Sequence, residues 1–363
     1  MGESGAMKIL VGMSGGVDSA TAAALLHAQG HQVTGCTMRL WREENHLKGG
    51  TRDACYGPGE AEDVEAARSV CDRIGIPFLE FDCSRDYEAT VIDYFREEYL
   101  AGRTPNPCVR CNAAMKFGLL PKMARQSGVV FDRFATGHYV RLRQGADGWM
   151  QLLMAADHSK DQSYFLCGLS QKQLPGLMFP LGDLTKGEVR RLARDFGLSV
   201  HDRPDSQDFY SGDTAELIGR DDSIGDIVDD ATGKVLGQHT GYWKYTIGQR
   251  KGLGVASVEP LYVVGIDACR NLVRLGRKDT AVHHRLRTGR FNWLSVPQSD
   301  TPIACDVKVR SVQNPVPCTL IPSTDGCCEA EFPDGIFAVA PGQAAAFYQG
   351  EVLIGGGFIH NAS

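Results

Sequence analysis

The chain has 363 residues, 43% hydrophobic and 23% charged, the balance of a globular protein with room for two or three domains. No apolar run approaches the roughly 20 residues of a bilayer span, and "MGESGAMKIL" is no signal peptide, so no membrane partner and a cytoplasmic location are expected. A net charge of −6 and a pI near 5.9 exclude a basic coat, but not a nucleic acid meeting a local basic patch.

The first half alternates strand and helix. "KILVGM" reads as a buried strand, "SATAAALLHAQG" as a helix stopped by Gly30, and "HQVTGCTMRLW" as a second strand. "AEDVEAARSVCDRIG" is a helix with an apolar stripe at Val64, Ala67, Cys71 and Ile74. "IPFLEFDC", "DYEATVIDYFREEYLAG", "AMKFGLLPKMARQSG" and "FDRFATGHYV" continue the alternation. The pattern predicts an α/β domain, a doubly wound parallel sheet that binds ligands at the carboxyl ends of its strands. After the helix "TKGEVRRLARDFG", the polar "HDRPDSQDFYSGD" reads as a linker. From about residue 286 short strands and Pro/Gly turns suggest a small β-barrel. The expected division is 1–207 for the nucleotide-binding domain, 208–284 for a small mixed central domain and 285–363 for the barrel.

"VGMSGGVDSA" lies between a strand and a helix, where backbone N–H groups and the helix dipole favour an anion. Gly15 and Gly16 admit a close phosphate, and Ser14 and Ser19 can donate hydroxyl hydrogen bonds. It is not the Walker loop, since no lysine closes it. The stretch resembles the pyrophosphate loop of the PP-loop ATPases, which cleave ATP between the α and β phosphates. By that resemblance Asp18 organises pyrophosphate through Mg²⁺, because a carboxylate beside phosphates needs a cation between them.

Five further segments narrow the resemblance: "GRTPNPCVRCN…MKF", "ATGHYVR", "KDQSYFL", "GQRKGLG" and "PGQAAAFYQGEVLIGGGFI". In this order, from about residue 7 to residue 359, they are similar to the tRNA-specific 2-thiouridylase family, whose members place sulfur on C2 of the wobble uridine of certain tRNAs. The resemblance implies ATP contacts at Gly12, Met13, Ser14, Gly15, Gly16, Val17, Asp18, Ser19, Met38 and Gly137. It implies tRNA contacts at Asn106, Pro107, Cys108, Lys160, Asp161, Gln162, Arg310 and Ser311, and a catalytic cysteine at Cys111. The implied partners are tRNA and a sulfur-donor protein or free sulfide, with the enzyme a monomer or weak dimer. In "CDVKVRSV" the period of two puts Asp306, Lys308 and Arg310 on one face, a candidate phosphate-contacting face, and Val307 and Val309 on the other.

Twelve cysteines in such a chain are expected to be reduced. Cys108-x-x-Cys111 lacks the second half of a structural zinc site. Pro105 and Pro107 read as a stiff extended approach rather than the helix start of a redox motif. Cys111 is placed just before a helix beginning near Asn112 or Ala113, where Arg110 and Lys116 would lower its pKa. Tyr210 stands where many family members carry the second, persulfide-bearing cysteine. Two repairs are open: Cys108 as the partner of Cys111, or a [4Fe-4S] cluster on Cys108, Cys111 and Cys55, the last taken to lie in a Gly/Pro loop. The rival readings are an amidating PP-loop ligase, which has no use for "NPCVRC", and a non-catalytic RNA-binding module, which has no use for the phosphate loop.

Overall fold

The computed structural model describes residues 5–42, 54–146, 148–200, 208–210 and 212–363. The expected alternation produces strands β1 (Lys8–Gly12), β2 (Gln32–Arg39), β3 (Ala54–Tyr56), β4 (Phe78–Asp82), β5 (Arg133–Thr136), β6 (Val140–Gln144), β7 (Met150–Met154) and β8 (Leu177–Met178). Five of them form a parallel sheet in the order β4-β2-β1-β5-β8. The chain winds from β1 outward through β2 to β4, then returns to β5 on the other side. The order therefore reverses between β1 and β5, the crevice where doubly wound sheets bind ligands.

Helix α1 (Val17–Ala28) is buried nearly all round, because its small Ala, Ser and Thr side chains let it lie flat on the sheet. Helix α2 (Glu60–Ile74) carries the expected stripe: Ala67 and Cys71 are fully buried, while Val64 and Ile74 are half-buried. Gly75, at φ 76°, closes it in the left-handed conformation that glycine adopts without strain.

The central region forms a four-stranded sheet from Gly225–Asp229, Val235–His239, Tyr262–Asp267 and Leu272–Gly276. Beyond it lies an antiparallel barrel. Val282–Arg290 pairs with Cys327–Phe337 on one side and with Val352–Ala362 on the other, and so closes it. Val307, Phe332, Phe347 and Ile354 fill its interior.

Four sequence readings are corrected. "FATGHYV" is not one strand: the chain breaks at Gly137, and β6 and β7 form a hairpin joined to the barrel's last strand through Leu153 and Val352. The linker lies partly outside the described residues, but β9 (Asp208–Tyr210) is a short parallel partner of β3. Cys55 is thus on a strand, not in a loop. Lys308 is not an open phosphate contact. Val307 and Val309 point into the barrel as the alternation requires, yet the opposite face is covered, and Lys308 lies buried 3.8 Å from Asp161.

Candidate active site

The phosphate loop follows β1 directly, with Met13 N–H donating to the Cys36 carbonyl at 2.7 Å. Gly15 has φ 74°, a turn a residue with a Cβ adopts only with strain. Ser19 Oγ accepts from Ser14 N–H at 3.1 Å and donates to the Gly16 carbonyl at 3.2 Å, which draws the loop into a ring. Gly16 caps α1 without a side chain, so the first-turn amides face an incoming anion. Across the crevice, Gly137 follows β5. A Cβ there would stand 2.6 Å from the Asp18 carbonyl carbon and the Ser19 nitrogen, so glycine is required for that loop to close on α1. The cradle fits the polyphosphate of ATP, with Asp18 as the carboxylate that would share a Mg²⁺. Met38, near the end of β2, is half-buried against the core beneath.

Asp18 already has two protein partners. Lys186 Nζ lies 2.8 and 2.9 Å from its two oxygens, and the Tyr139 hydroxyl donates to Oδ1 at 2.7 Å. Lys186 is the first residue of the helix Lys186–Asp195, fixed by a Thr185/Glu188 capping box. The T-x-x-E signal was readable; nothing in the sequence pattern said that this lysine faces the loop.

The cysteine segment corrects the expected helix start. The helix begins at Pro107, not near Asn112; it runs through Cys111 and continues through a π-helical stretch, Asn112–Leu119. Asn106 is its N-cap, Oδ1 accepting from Val109 N–H at 3.2 Å, and Pro107 occupies the first turn, where its missing N–H costs nothing. The C-x-x-C motif therefore opens a helix after all. The Asn106 side chain is buried and fully engaged, Nδ2 donating to the Tyr164 hydroxyl and to Gln343 Oε1, both at 3.3 Å. Gln343, from the barrel, donates to the carbonyls of Thr104 at 3.2 Å and Pro105 at 2.8 Å. Gly342, with φ 90°, sits so close that a Cβ would stand 2.7 Å from the Thr104 carbonyl. Three motifs distant in sequence thus converge on one buried network.

Inside this frame, Cys55, Cys108 and Cys111 all act electrostatically on the buried Tyr87 hydroxyl, and Cys55 acts on Cys111. Burial pushes the Cys111 thiol up to about 11, Lys116 pulls against it, and Cys55 adds to the rise. Cys55, though an exposed residue, is also raised by desolvation from the protein around it, again opposed by Lys116. The expected lowering of Cys111 is overturned, because desolvation outweighs the single ammonium. Arg110 does not help. It lies over the Tyr94 ring at 5.5 Å, with Nε donating to the Thr90 carbonyl. His138, beside the phosphate loop, is held well below the ordinary histidine range by burial and by Lys116. A neutral imidazole 2.7 Å from Thr136 Oγ1 results. Lys116 is thus the cation common to both thiols and this histidine.

Residues 7–210 match the family description "tRNA methyl transferase HUP domain", 218–277 "tRNA methyl transferase PRC-barrel domain" and 283–359 "Aminomethyltransferase beta-barrel domain". A protein of Endomicrobium trichonymphae named tRNA-specific 2-thiouridylase MnmA is 44% identical over 97% of this chain and 99% of its own. One of the same name from Geotalea uraniireducens is 43% identical over 98% and 95%. The chain belongs to the tRNA-specific 2-thiouridylase family.

Family resemblance placed tRNA contacts at residues whose side chains the structure turns inward. Asn106 caps the helix. The Asp161 carboxylate, 3% exposed, accepts from Ala155 and Ser163 and faces Lys308, so neither side chain presents itself to a substrate. Gln162 Oε1 accepts from Tyr139 N–H at 3.0 Å, and Lys160 is half-buried beside it. Arg310 donates to the Ile247 carbonyl at 2.6 Å, tying the barrel to the turn before Arg250 and Lys251, which are exposed; Ser311 is half-buried. Tyr210, in place of the family's second cysteine, donates to Glu216 at 2.9 Å. Among the described residues no three His, Cys, Asp or Glu side chains close around a point as a single metal ion needs.

Proposed function

We propose that the protein thiolates C2 of the wobble uridine of tRNA in the cytoplasm, using ATP. The uridine C2 oxygen attacks the α phosphorus of ATP, and pyrophosphate leaves toward the ring of Ser14, Gly15, Gly16 and Ser19. The terminal sulfur of a Cys111 persulfide then attacks C2, and AMP leaves with the oxygen. A second thiol attacks Cys111 Sγ; a disulfide forms, and the electron pair passes to the sulfur left on C2. Cys108, one helical turn before Cys111, is that thiol. The observation that carries the reading is a phosphate loop at the sheet's switch point together with Cys111 within electrostatic reach of Lys116, which also acts on His138 beside that loop. Binding of tRNA would draw on Arg250 and Lys251, which are exposed, with Pro107, Cys108, Lys160, Gln162, Arg310 and Ser311, all half-buried, as the remaining candidates.

A second reading draws on the same thiols. Cys55 on β3, Cys108 and Cys111 all act on the Tyr87 hydroxyl, so these three are the candidate thiolate donors of a [4Fe-4S] cluster, which would supply sulfur as bound sulfide. Anaerobic purification with an iron count separates the two: about four irons per chain ends the dithiol account, and an iron-free active protein ends the cluster. For either, Cys111→Ser should abolish thiolation of tRNA while ATP still binds. A Ser variant that still thiolates removes Cys111 from the reaction.

A further inference from the structure

The phosphate loop, residues 12–19, contains no lysine or arginine and one acid, Asp18. The ATP polyphosphate brings several negative charges to it, and helix-terminal amides supply only partial charges. We infer that Lys186 is the phosphate-binding cation of this loop, shared between Asp18 and the ATP phosphates. The inference rests on the ATP-using reading above.

The geometry places it there. Asp18 is the second residue of α1, at the end where the amides point toward an anion. Lys186 Nζ lies within 2.9 Å of both its oxygens, so it stands at the mouth of the same helix terminus. Its side chain is 12% exposed, and it approaches over the Tyr139 ring at 5.7 Å, which confines the ammonium to the loop side. Its own backbone N–H donates to Asp157, and the capping box fixes its helix, so the Cα is anchored while the flexible four-carbon stem can turn. A Mg²⁺ held by Asp18 would compete with the ammonium for at least one of its two oxygens. The displaced ammonium then meets the phosphate. Carboxylate goes to metal and ammonium to phosphate, and no charge is left uncompensated.

The test is equilibrium ATP binding to the full chain at fixed Mg²⁺, for wild type, Lys186→Met, Asp18→Asn and the double variant. Removing a charge-assisted contact should weaken ATP by on the order of tenfold to a hundredfold in Lys186→Met. The double variant should bind more weakly than Asp18→Asn alone, and Lys186→Arg should recover part of the loss. The Mg²⁺ concentration giving half-maximal binding should fall in Lys186→Met, because the ammonium no longer competes for Asp18. The double variant also guards against misfolding, since it buries no unpaired carboxylate. If it binds ATP as tightly as Asp18→Asn alone, Lys186 is only a salt-bridge partner and the inference is wrong. If wild type binds no ATP, the ATP-using reading itself fails.

Discussion

A cysteine whose thiol is raised rather than lowered should be a sluggish nucleophile in the resting protein. With Cys111 near 11, its thiolate fraction at pH 7.5 is roughly 300-fold below that of an ordinary thiol near 8.5. The more basic thiolate is intrinsically more reactive, which returns about tenfold. Cys111 should therefore react with a small neutral disulfide reagent about 20- to 30-fold more slowly than a peptide cysteine at pH 7.5. The assay is peptide-resolved labelling over pH 6 to 11 in a Cys108→Ser background. The Cys111 rate should climb tenfold per pH unit without levelling below about pH 10, whereas blocked access alone would lower the rate at every pH without moving the midpoint. Lys116→Met should slow it further, since that ammonium opposes the rise. A Cys111 that titrates at or below 8.5 would overturn the claim that desolvation dominates this site. The same reasoning favours sulfur delivery from a preformed persulfide or cluster over direct attack by a Cys111 thiolate.

Asn106→Ala removes a helix cap, about 0.5–2 kcal/mol, and two further hydrogen bonds whose partners keep others, the Tyr164 hydroxyl still meeting the Ala344 carbonyl and Gln343 Oε1. Hydrogen exchange at the Val109 and Arg110 amides should accelerate at least tenfold, with Asn106→Asp, which keeps the accepting oxygen, in between; exchange within twofold of wild type would refute the cap. Gly137→Ala forces a Cβ against the Asp18–Ser19 backbone and should weaken ATP binding at least tenfold, at an overpacking cost of about 1–3 kcal/mol. Gly176→Ala, with nothing within 4 Å of the new carbon, should leave binding unchanged.

Much of the architecture was readable locally. "KILVG", the S-G-G-V-D-S turn and the stripe at Ala67 and Cys71 each declare their element within a few residues. Most of the failures share one physical source, partners distant in sequence. Alternation put Lys308 on the correct face of its strand, but not that Asp161 covers that face. "NPC" carries a cap-and-proline helix start, a purely local signal that is ambiguous because proline also stiffens extended loops. Lys186 meets Asp18 from 168 residues away, and no periodicity reports such a pairing. The pKa of Cys111 turned on burial, which local charge counting does not measure.

The clasp of Gly342 and Gln343 on Thr104, Pro105 and Asn106 has a consequence in time. A chain grows from its N-terminus, and domains tend to fold in that order. The phosphate loop and its sheet need nothing beyond residue 178 for their strand pairing, so they can assemble early. The cysteine helix cannot be locked until residues 341–344 have been made, long after β8. A nascent or C-terminally shortened chain would then hold nucleotide before it could position the thiol, so the reactive centre is armed last.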